Sequence, residues 1–290
     1  MNTLVGGKCS SFIENRALFG AYPSQQEANE LEHYGVRLFI DLTKKTERLY
    51  EHYMPNLARR INYPIQDRGT PTSRLTFSIL LQRILIELNS MREGELMYIH
   101  CRGGHGRSGL VVACILTLYH NISPAEALEL TAQFHQNRVE MPDYRRQGGS
   151  PTHERQKRFV VSMFEPMITF KRHGGGRNFF LSMKSCYSVE MYCQEDYKLV
   201  YSNAELAYKD MIKTLEQDED YHEKKLRCLC DVIASKFVQH PMIMNKLISG
   251  GFRIIHEVID GIPYITKRAS MLMKLREISR LKYAHEIIIE

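Results

Sequence analysis

The chain has 290 residues, more than one domain usually needs, so each half is long enough to bury its own core. Its seven cysteines are odd in number and include no CxxC pair, which argues against a disulfide framework and predicts a reducing, cytoplasmic environment. The most hydrophobic run, LVVACILTLY, is about half of what a bilayer requires, so no membrane partner is expected. The net charge of +6 lies mainly in residues 1–172, with 22 Lys and Arg against 17 Asp and Glu, which suits an anionic ligand as well as plain solubility.

The first part of the chain alternates between predicted strands and helices. Short runs of strand length, rich in residues that fit a pleated surface, occupy 35–42, 60–67 and 96–100. Apolar residues at spacings of three and four predict a helix over 74–90, and an almost wholly apolar run predicts a buried helix over 107–120. A capping box at Ser123 and Glu126 predicts the start of a further, amphipathic helix. The alternation predicts an α/β domain.

The segment KRHGGGR at 171–177 is the predicted domain boundary, because three successive glycines between charged residues do not pack. Beyond it, four segments have helical length and period: 203–215, 226–237, 241–250 and 268–278. The run RIIHEVI at 253–259 is of strand type. We therefore predict two domains, residues 1–172 and residues 173–290, the second of them α-rich with a few strands.

The stretch YIHCRGGHGRSGL at 98–110 places one cysteine between a predicted strand and a predicted helix. A glycine-rich turn that runs into a helix N-terminus forms a concave set of backbone N–H groups, which binds anions. The same donors stabilise a thiolate, so Cys101 is expected to be ionised at neutral pH. Arg107 adds a planar fork that matches two phosphate oxygens. The stretch thus predicts a nucleophile and an anion clamp directed at one point.

The run HCRGGHGRSG matches the signature HCxxGxxRS of the cysteine-based protein tyrosine phosphatases and resembles their dual-specificity branch. The resemblance covers residues 12–165. Further matching segments are LFGAYPS at 18–24, DLT at 41–43, YPIQDRGTP at 63–71 and SPTHERQKRFV at 150–160. The resemblance implies a central sheet flanked by helices and hydrolysis of phosphomonoesters without a cofactor.

The resemblance also implies a role for each matching residue. Cys101 would attack phosphorus and carry a phosphocysteine intermediate, while Arg107 holds the equatorial oxygens. Ser108 would hydrogen-bond the thiolate and help it leave, and Asp67 would protonate the leaving oxygen as general acid. His100 would brace the loop, and Gln156 would position the hydrolytic water. The remaining implied residues would hold the phosphate: Arg102, Gly103, Gly104, His105 and Gly106.

Several of these residues have alternative readings. Asp67 also suits a turn that bonds its own backbone, and Asp41 and Asp143 compete for the acid role, although Asp41 better suits the end of a strand. His105 fits the rim of the pocket better than a catalytic role. The pairs at 59–60 and 145–146, all arginines, either attract an anionic substrate or form a solvated face. No metal is expected, because the His and Cys residues lack ligand spacing.

Residues 180–278 carry a second resemblance. The segments NAELAYKDM at 203–211, IASKFVQHP at 233–241, IIHEVID at 254–260 and LMKLRE at 272–277 are similar to successive motifs of the NADAR family. That family is helical, is linked to NAD and ADP-ribose metabolism, and has members that cleave N-glycosidic bonds. The match implies acidic site positions at Glu205 and Glu257, and a Lys-Phe pair at Lys236 and Phe237. The family's Trp-Gly pair is missing, since the chain has no tryptophan. Two interpretations of this part are therefore open: an active glycosidase, or a non-catalytic module that binds a ligand.

The first domain is thus predicted to hydrolyse phosphoproteins, on phosphotyrosine or on phosphoserine and phosphothreonine. An RNA 5′-phosphatase is the alternative, because the domain is basic and related folds with the same loop act on RNA ends. A phosphate-binding pseudoenzyme or scaffold is the third reading. The intact set Cys101, Arg107 and Asp67 speaks against the third, because losing any one of them would suffice to make a binder.

Overall fold

In the computed structural model the chain divides into two compact units: Met1–Phe164 with Leu281–Glu290, and Glu165–Arg280. The glycine segment 172–177 of the predicted boundary lies outside the described residues. The structure describes residues 7–47, 52–165, 168–171, 178–183, 185, 187–192, 198–215, 220–250, 252–253, 255–259 and 262–284.

The first unit is built on one five-stranded sheet. Its strands are β1 (Cys9–Ile13), β2 (Ala17–Gly20), β3 (Val36–Asp41), β4 (Arg59–Asn62) and β5 (Leu96–His100), in the order β1-β2-β5-β3-β4. The central β5 runs parallel to both of its neighbours, whereas β1 pairs antiparallel with β2. Because β5 is the middle strand of the five, the residue that follows it emerges at the middle of the carboxyl edge of the sheet. Ligands bind at this edge in open α/β sheets.

Helices flank this sheet, as predicted. They are α1 (Gln25–His33), α2 (Arg74–Ser90), α3 (Arg107–His120), α4 (Pro124–Gln136), α5 (Asp143–Gly148) and α6 (Glu154–Phe164). The apolar α3 is buried from its first residue to Thr117, and it packs against β2, β5, α2, α4 and α6. Burial on all sides explains why its sequence shows no polar face.

The predicted elements agree with the structure to different degrees. The helices predicted at 74–90 and 107–120 and the strand at 96–100 match α2, α3 and β5 residue for residue. The strand predicted at 60–67 is shorter, because only β4 joins the sheet. Beyond it Tyr63 and Ile65 donate backbone hydrogen bonds to the residues at the end of β3, and Pro64 between them has no N–H to donate.

The helix starts follow the sequence signals. Ser123 accepts a hydrogen bond from the backbone N–H of Glu126 at 3.2 Å and so caps α4 as predicted. The start of α1 has a complete capping box, because Ser24 accepts from the Glu27 N–H while the Glu27 carboxylate accepts from the Ser24 N–H.

The second unit combines helices with two small sheets. One sheet has the order β10-β9-β6, from β6 (Ile168–Lys171), β9 (Ile255–Ile259) and β10 (Ile262–Tyr264), and the other pairs β7 (Val189–Tyr192) with β8 (Lys198–Tyr201). The four predicted helical segments correspond to α7 (Ala204–Met211), α8 (Tyr221–Gln239), α9 (Pro241–Ser249) and α10 (Lys267–Ala284). The first segment extends past α7 into a 3-10 turn at Ile212–Thr214, and the predicted strand at 253–259 contains β9. Among the described residues of the whole chain, no helix is long and apolar enough to cross a membrane.

Candidate active site

The loop between β5 and α3 ends at a helix N-terminus whose N–H groups are available. Gly106 is the N-cap of α3 and makes no side-chain cap hydrogen bond. The first backbone hydrogen bond of the helix runs from the N–H of Leu110 to the Gly106 carbonyl, at 3.0 Å. The preceding N–H groups have no intrahelical partner, and the helix dipole places a partial positive charge there. These N–H groups lie where the sequence predicts an anion site.

The loop is fixed in place by close backbone packing. Gly104 has φ of +72°, and a Cβ at this position would collide with the backbone of Gly20 at the end of β2. On the other side, the Ser150 hydroxyl donates to the carbonyl of His105 at 2.6 Å. Glycine at 104 is therefore required both by the backbone dihedral and by the approach of β2.

Cys101 follows β5 directly and lines a cavity of about 590 Å³. Its side chain is nearly buried, and its Sγ lies 3.5 Å from the hydroxyl of Ser108 in the first turn of α3. A hydroxyl at this distance is able to donate a hydrogen bond to a thiolate at 101 and so to favour the charged form.

Arg107 opens α3 and is almost wholly buried. Its two terminal nitrogens both donate to the carboxylate of Glu47, with Nη2 to Oε2 at 2.9 Å. Nη2 also donates to Asp67 Oδ1 at 3.0 Å, and Nη1 donates to the Ile65 carbonyl at 3.0 Å. Burial opposes the charge of Arg107, but the hydrogen bonds to Glu47 and the nearby charges of Cys101 and Asp67 outweigh it and raise the pKa.

Glu47 is a site residue that sequence reasoning missed. It lies in the charged run KKTER, which is typical of an exposed loop, and it reaches Arg107 across 60 residues of sequence. No local pattern distinguishes it from its charged neighbours. Only the folded chain shows that its side chain is largely withdrawn from solvent.

The predicted general acid reaches the cavity, whereas its competitors are placed elsewhere. The Asp67 side chain is half exposed and lines the cavity together with Cys101 and Arg107. Asp41 ends β3, and its Oδ1 accepts from the backbone N–H and the hydroxyl of Thr43 at 2.8 and 2.7 Å. Asp143 is an exposed residue at the start of α5. Of the three carboxylates, Asp67 is the one positioned to exchange a proton with a ligand.

His100, the residue predicted to brace the loop, is the last residue of β5. It is fully buried, and its Nε2 lies 2.7 Å from the Tyr53 hydroxyl. Burial lowers its pKa to about 4, and the charges of Arg60 and Arg107 act in the same direction, against the opposing effect of Asp41. The imidazole is therefore neutral at physiological pH, which suits a structural role.

Gln156 lies between the two loops that form the site. Its Nε2 donates to the Gly69 carbonyl at 2.9 Å, two residues after the Asp67 turn, and its amide lies directly against Gly106. The side chain is fully buried. In this structure Gln156 ties the acid-bearing turn to the cysteine loop.

The rim of the cavity is basic. Three exposed arginines line it, each from a different segment: Arg68 after the acid, Arg102 after the cysteine, and Arg145 on α5. His153 and half-buried His105 complete the rim, and Asp67 is the one carboxylate among the described residues that line it. A second anionic group on a ligand would thus find several cations around the mouth.

The four arginines of the two predicted pairs make different contacts. Arg145 lines the cavity, whereas Arg146 donates to the carbonyls of Gln136 and Arg138. Arg59 forms a salt bridge with Glu87 at 2.5 Å. Arg60 lies over the ring of Tyr53, with its guanidinium carbon 5.6 Å from the ring centre. Only one of the four is therefore found in the cavity lining.

The second unit places the NADAR-like positions in different settings. Glu205 on α7 is buried, forms an ion pair with Lys209 at 3.3 Å, and lines a cavity of about 370 Å³ together with Arg268. The ammonium of Lys236 is buried and donates to the carbonyls of Phe180 and Ser182 at 2.6 Å each. Glu257 lies in β9, but its side chain is outside the described residues.

Comparison with known proteins gives the family of the first unit. The family model of the PTP-SAK Swiss Army Knife protein, DSP-PTPase phosphatase domain, matches residues 8–160. Putative tyrosine phosphatase 067L of Invertebrate iridescent virus 3 is 42% identical over 160 residues, which are 54% of this chain and 65% of that protein. Putative tyrosine phosphatase 197R of Invertebrate iridescent virus 6 is 30% identical over 267 residues, which are 87% of this chain and 90% of that protein.

Among solved structures, Tk-PTP in its active form covers 53% of this chain and 93% of its own, with 22% identity and a TM-score of 0.43. The family model spans more than half of the chain, and the longer viral relative aligns with most of it. The chain therefore belongs to the PTP-SAK family of DSP-PTPase phosphatase domains, and its first unit is a phosphatase domain of the tyrosine and dual-specificity type.

Proposed function

We propose that the first unit hydrolyses phosphomonoesters of phosphoproteins, on phosphotyrosine and also on phosphoserine and phosphothreonine, through a phosphocysteine at Cys101. One observation carries the proposal: the thiol, the Arg107 guanidinium and the Asp67 carboxyl line one cavity at a helix N-terminus. The names of the two viral relatives, both putative tyrosine phosphatases, support the substrate class.

In the first step the Cys101 thiolate attacks phosphorus, so an S–P bond forms as the P–O bond to the substrate breaks. Asp67 gives its proton to the departing oxygen, which leaves as a neutral alcohol or phenol. Arg107 and the N–H groups at the start of α3 hold the equatorial oxygens while negative charge spreads over them. The bidentate contact with Glu47 holds the guanidinium in the plane needed for this task.

In the second step water attacks phosphorus, and Asp67, now a carboxylate, takes a proton from it. The S–P bond breaks, the thiolate of Cys101 leaves, and inorganic phosphate is released. The Ser108 hydroxyl, 3.5 Å from Sγ, donates to the departing thiolate. Neither step requires a metal ion or an external oxidant, because each bond that breaks is matched by one that forms and each proton has a donor and an acceptor.

The test compares phosphate release from a phosphotyrosine peptide by wild type and by Cys101→Ser, under reducing conditions with a chelator. Wild type is expected to turn over and the serine variant to lose activity, while Cys230→Ser, an exposed thiol of α8, keeps wild-type rates. Retained activity in Cys101→Ser would contradict the phosphocysteine mechanism. A phosphoserine peptide measured in parallel reports the second substrate class.

The basic rim supports one alternative, an RNA 5′-phosphatase, because Arg68, Arg102 and Arg145 surround the mouth. The two functions differ in salt dependence. Activity on an RNA 5′ end would fall steeply between about 50 and 200 mM salt, whereas activity on a short phosphopeptide would change little. RNA turnover that exceeds peptide turnover at both concentrations would replace the phosphoprotein proposal.

We also propose that the second unit binds an ADP-ribose-type N-glycoside at the cavity beside Glu205. The support is the NADAR-like motif together with a buried carboxylate and two cations, Lys209 and Arg268, at one cavity. Glu205→Gln is expected to weaken ADP-ribose binding in calorimetric titration, whereas Glu223→Gln, on the exposed surface of α8, is not. Equal binding by both variants, or no binding by wild type, would overturn this assignment.

A further inference from the structure

Two histidines form a direct hydrogen bond at the edge of the cysteine loop. His105 belongs to the loop and lines the cavity, and His135 lies near the end of α4 with no exposed surface. His105 Nδ1 and His135 Nε2 are 2.7 Å apart, and the rings meet edge to face with centres 5.0 Å apart. A loop side chain that lines the cavity is thus connected to a buried residue 30 positions later in the chain.

One N–H lies between the two rings, and the surroundings of His135 decide which ring carries it. The other nitrogen of His135, Nδ1, is buried and has no hydrogen-bond partner among the described residues. If His105 donated, a neutral His135 would carry its proton on Nδ1, leaving a buried N–H unsatisfied. If His135 donates from Nε2, its Nδ1 keeps only a lone pair. Orphaned buried N–H groups are rarer than under-satisfied acceptors, so His135 is the donor.

Both rings are neutral at physiological pH. Burial lowers the pKa of His105 to about 4 and that of His135 to about 3, and the nearby charges of Arg138, Arg145 and Arg146 act in the same direction. A neutral imidazole has one N–H. Because His105 accepts at Nδ1, its proton must be on Nε2.

The Nε2 edge of His105 is the edge that lies against Gly103 of the cysteine loop. A Cβ built on Gly103 would lie 3.0 Å from His105 Cδ2 and 3.4 Å from its Nε2, and Gly103 itself lines the cavity. The opposite tautomer would direct a lone pair toward the same place and would repel an anion. The tautomer thus determines whether His105 attracts or repels a phosphate.

We propose that His135 is a positioning residue that holds His105 in its Nε2–H tautomer, so that His105 donates a hydrogen bond to the phosphoryl group in the cavity. The proposal rests on the proposed function for its ligand, a phosphate monoester. It adds a neutral donor to the cationic Arg107. It also gives a reason for a histidine at a buried position of α4, where an apolar residue would otherwise pack.

The first test measures the tautomer directly. Long-range proton–nitrogen NMR spectra of the wild-type full chain are expected to show His105 protonated on Nε2 and His135 protonated on Nε2. His105 protonated on Nδ1 would overturn the proposal. This measurement needs no turnover, so it is independent of whether the proposed phosphatase function holds.

The second test measures binding of inorganic phosphate by NMR titration. His135→Phe keeps a ring but removes the donor, and is expected to weaken phosphate binding about tenfold, the loss of one hydrogen bond to a charged group. His135→Gln keeps an N–H at the position of Nε2 and should stay within about twofold of wild type. Thr131→Val removes another buried polar group of α4, without contact to the loop, and serves as control.

Wild-type phosphate binding by folded His135→Phe would overturn the proposal, and so would equal losses in the Gln and Phe variants. If His135→Phe does not fold, His105→Phe carries the test, since it removes the donor itself from a half-exposed position. It is expected to show the same tenfold loss, and unchanged phosphate binding would contradict the proposal. Absence of turnover in wild type, with the tautomer as expected, would contradict only the phosphatase function.

Discussion

Both carboxylate oxygens of Glu47 accept hydrogen bonds from the guanidinium of Arg107, across 60 residues of sequence. The arrangement is bidentate, so it fixes the plane of the guanidinium as well as its position. The terminal nitrogens also donate to Asp67 and to the Ile65 carbonyl, so a ligand phosphate must take over the Nη2 contact with Asp67. It meets a guanidinium whose plane is already set, and part of the ordering cost of this long side chain is met during folding rather than during binding.

Glu47→Ala should therefore lower kcat/KM on a phosphotyrosine peptide by roughly tenfold to a hundredfold, with an increase in KM, because the loss of charge-assisted hydrogen bonds is worth about 1.5–3 kcal/mol. Glu93→Ala, an exposed carboxylate before β5, is the control and should match wild type. Steady-state kinetics of both variants check the prediction. An unchanged KM for Glu47→Ala would show that Arg107 is held by its other partners alone.

Asp67→Asn should reduce kcat on a phosphopeptide roughly a hundredfold, because the amide cannot protonate the leaving oxygen. The reduction should be smaller for p-nitrophenyl phosphate, whose leaving group needs little help. The profile of kcat against leaving group should therefore be steeper in the variant than in wild type. Asp143→Asn changes an exposed residue outside the cavity lining and should show the wild-type profile. A loss of activity in Asp143→Asn with wild-type activity in Asp67→Asn would assign the general acid to Asp143 instead.

The sequence predicts this site well where the signal is local. The cysteine, the arginine and the glycines lie within one run, and the flanking β5 and α3 follow from apolar patterns that end where the structure ends them. Asp67 is identified from its own motif, although it meets Arg107 only in the fold. Glu47, the partner of Arg107, and His135, the partner of His105, carry no motif, because their roles depend on contacts made across 60 and 30 residues.

The strands of the first unit show the same limit. The buried β5 is apolar at nearly every position, whereas β1 and β2 contain small or polar residues that give little strand signal. The strand predicted at 60–67 ends early, since its last residues turn toward the cavity and bring Asp67 there. The part that differs from the prediction is thus the part that carries the acid.

Acidification should destabilise the protein through its buried neutral histidines. The folded pKa of His100 is lowered to about 4, mainly by burial, whereas an unfolded histidine titrates near 6.5. The unfolded state therefore binds more protons between these values, and the free energy of unfolding falls as pH drops through this window. For His100 the loss is about 2 kcal/mol between pH 6.5 and 5.

Urea unfolding at pH 7 and pH 5 checks this. Wild type should lose more stability than His100→Gln, which keeps a group able to bond the Tyr53 hydroxyl but does not titrate. His33→Gln, an exposed residue of α1, should retain the wild-type dependence. Parallel pH dependence in wild type and His100→Gln would mean that other groups control acid stability.

Gly104→Ala should abolish most phosphatase activity and destabilise the fold by about 1–3 kcal/mol, because φ of +72° is strained for alanine and its Cβ would collide with the Gly20 backbone at the end of β2. Relief of that collision requires the cysteine loop to move away from β2, and the N–H groups of the loop move with it. Gly148→Ala is the matched control, since its Cβ would lie 3.8 Å from the nearest atom, in Thr152, and α5 favours alanine. Thermal unfolding measures the loss of stability in the two variants, and phosphopeptide turnover measures the loss of activity. Equal stability and equal turnover in Gly104→Ala and Gly148→Ala would contradict the conclusion that Gly104 fixes the conformation of the cysteine loop.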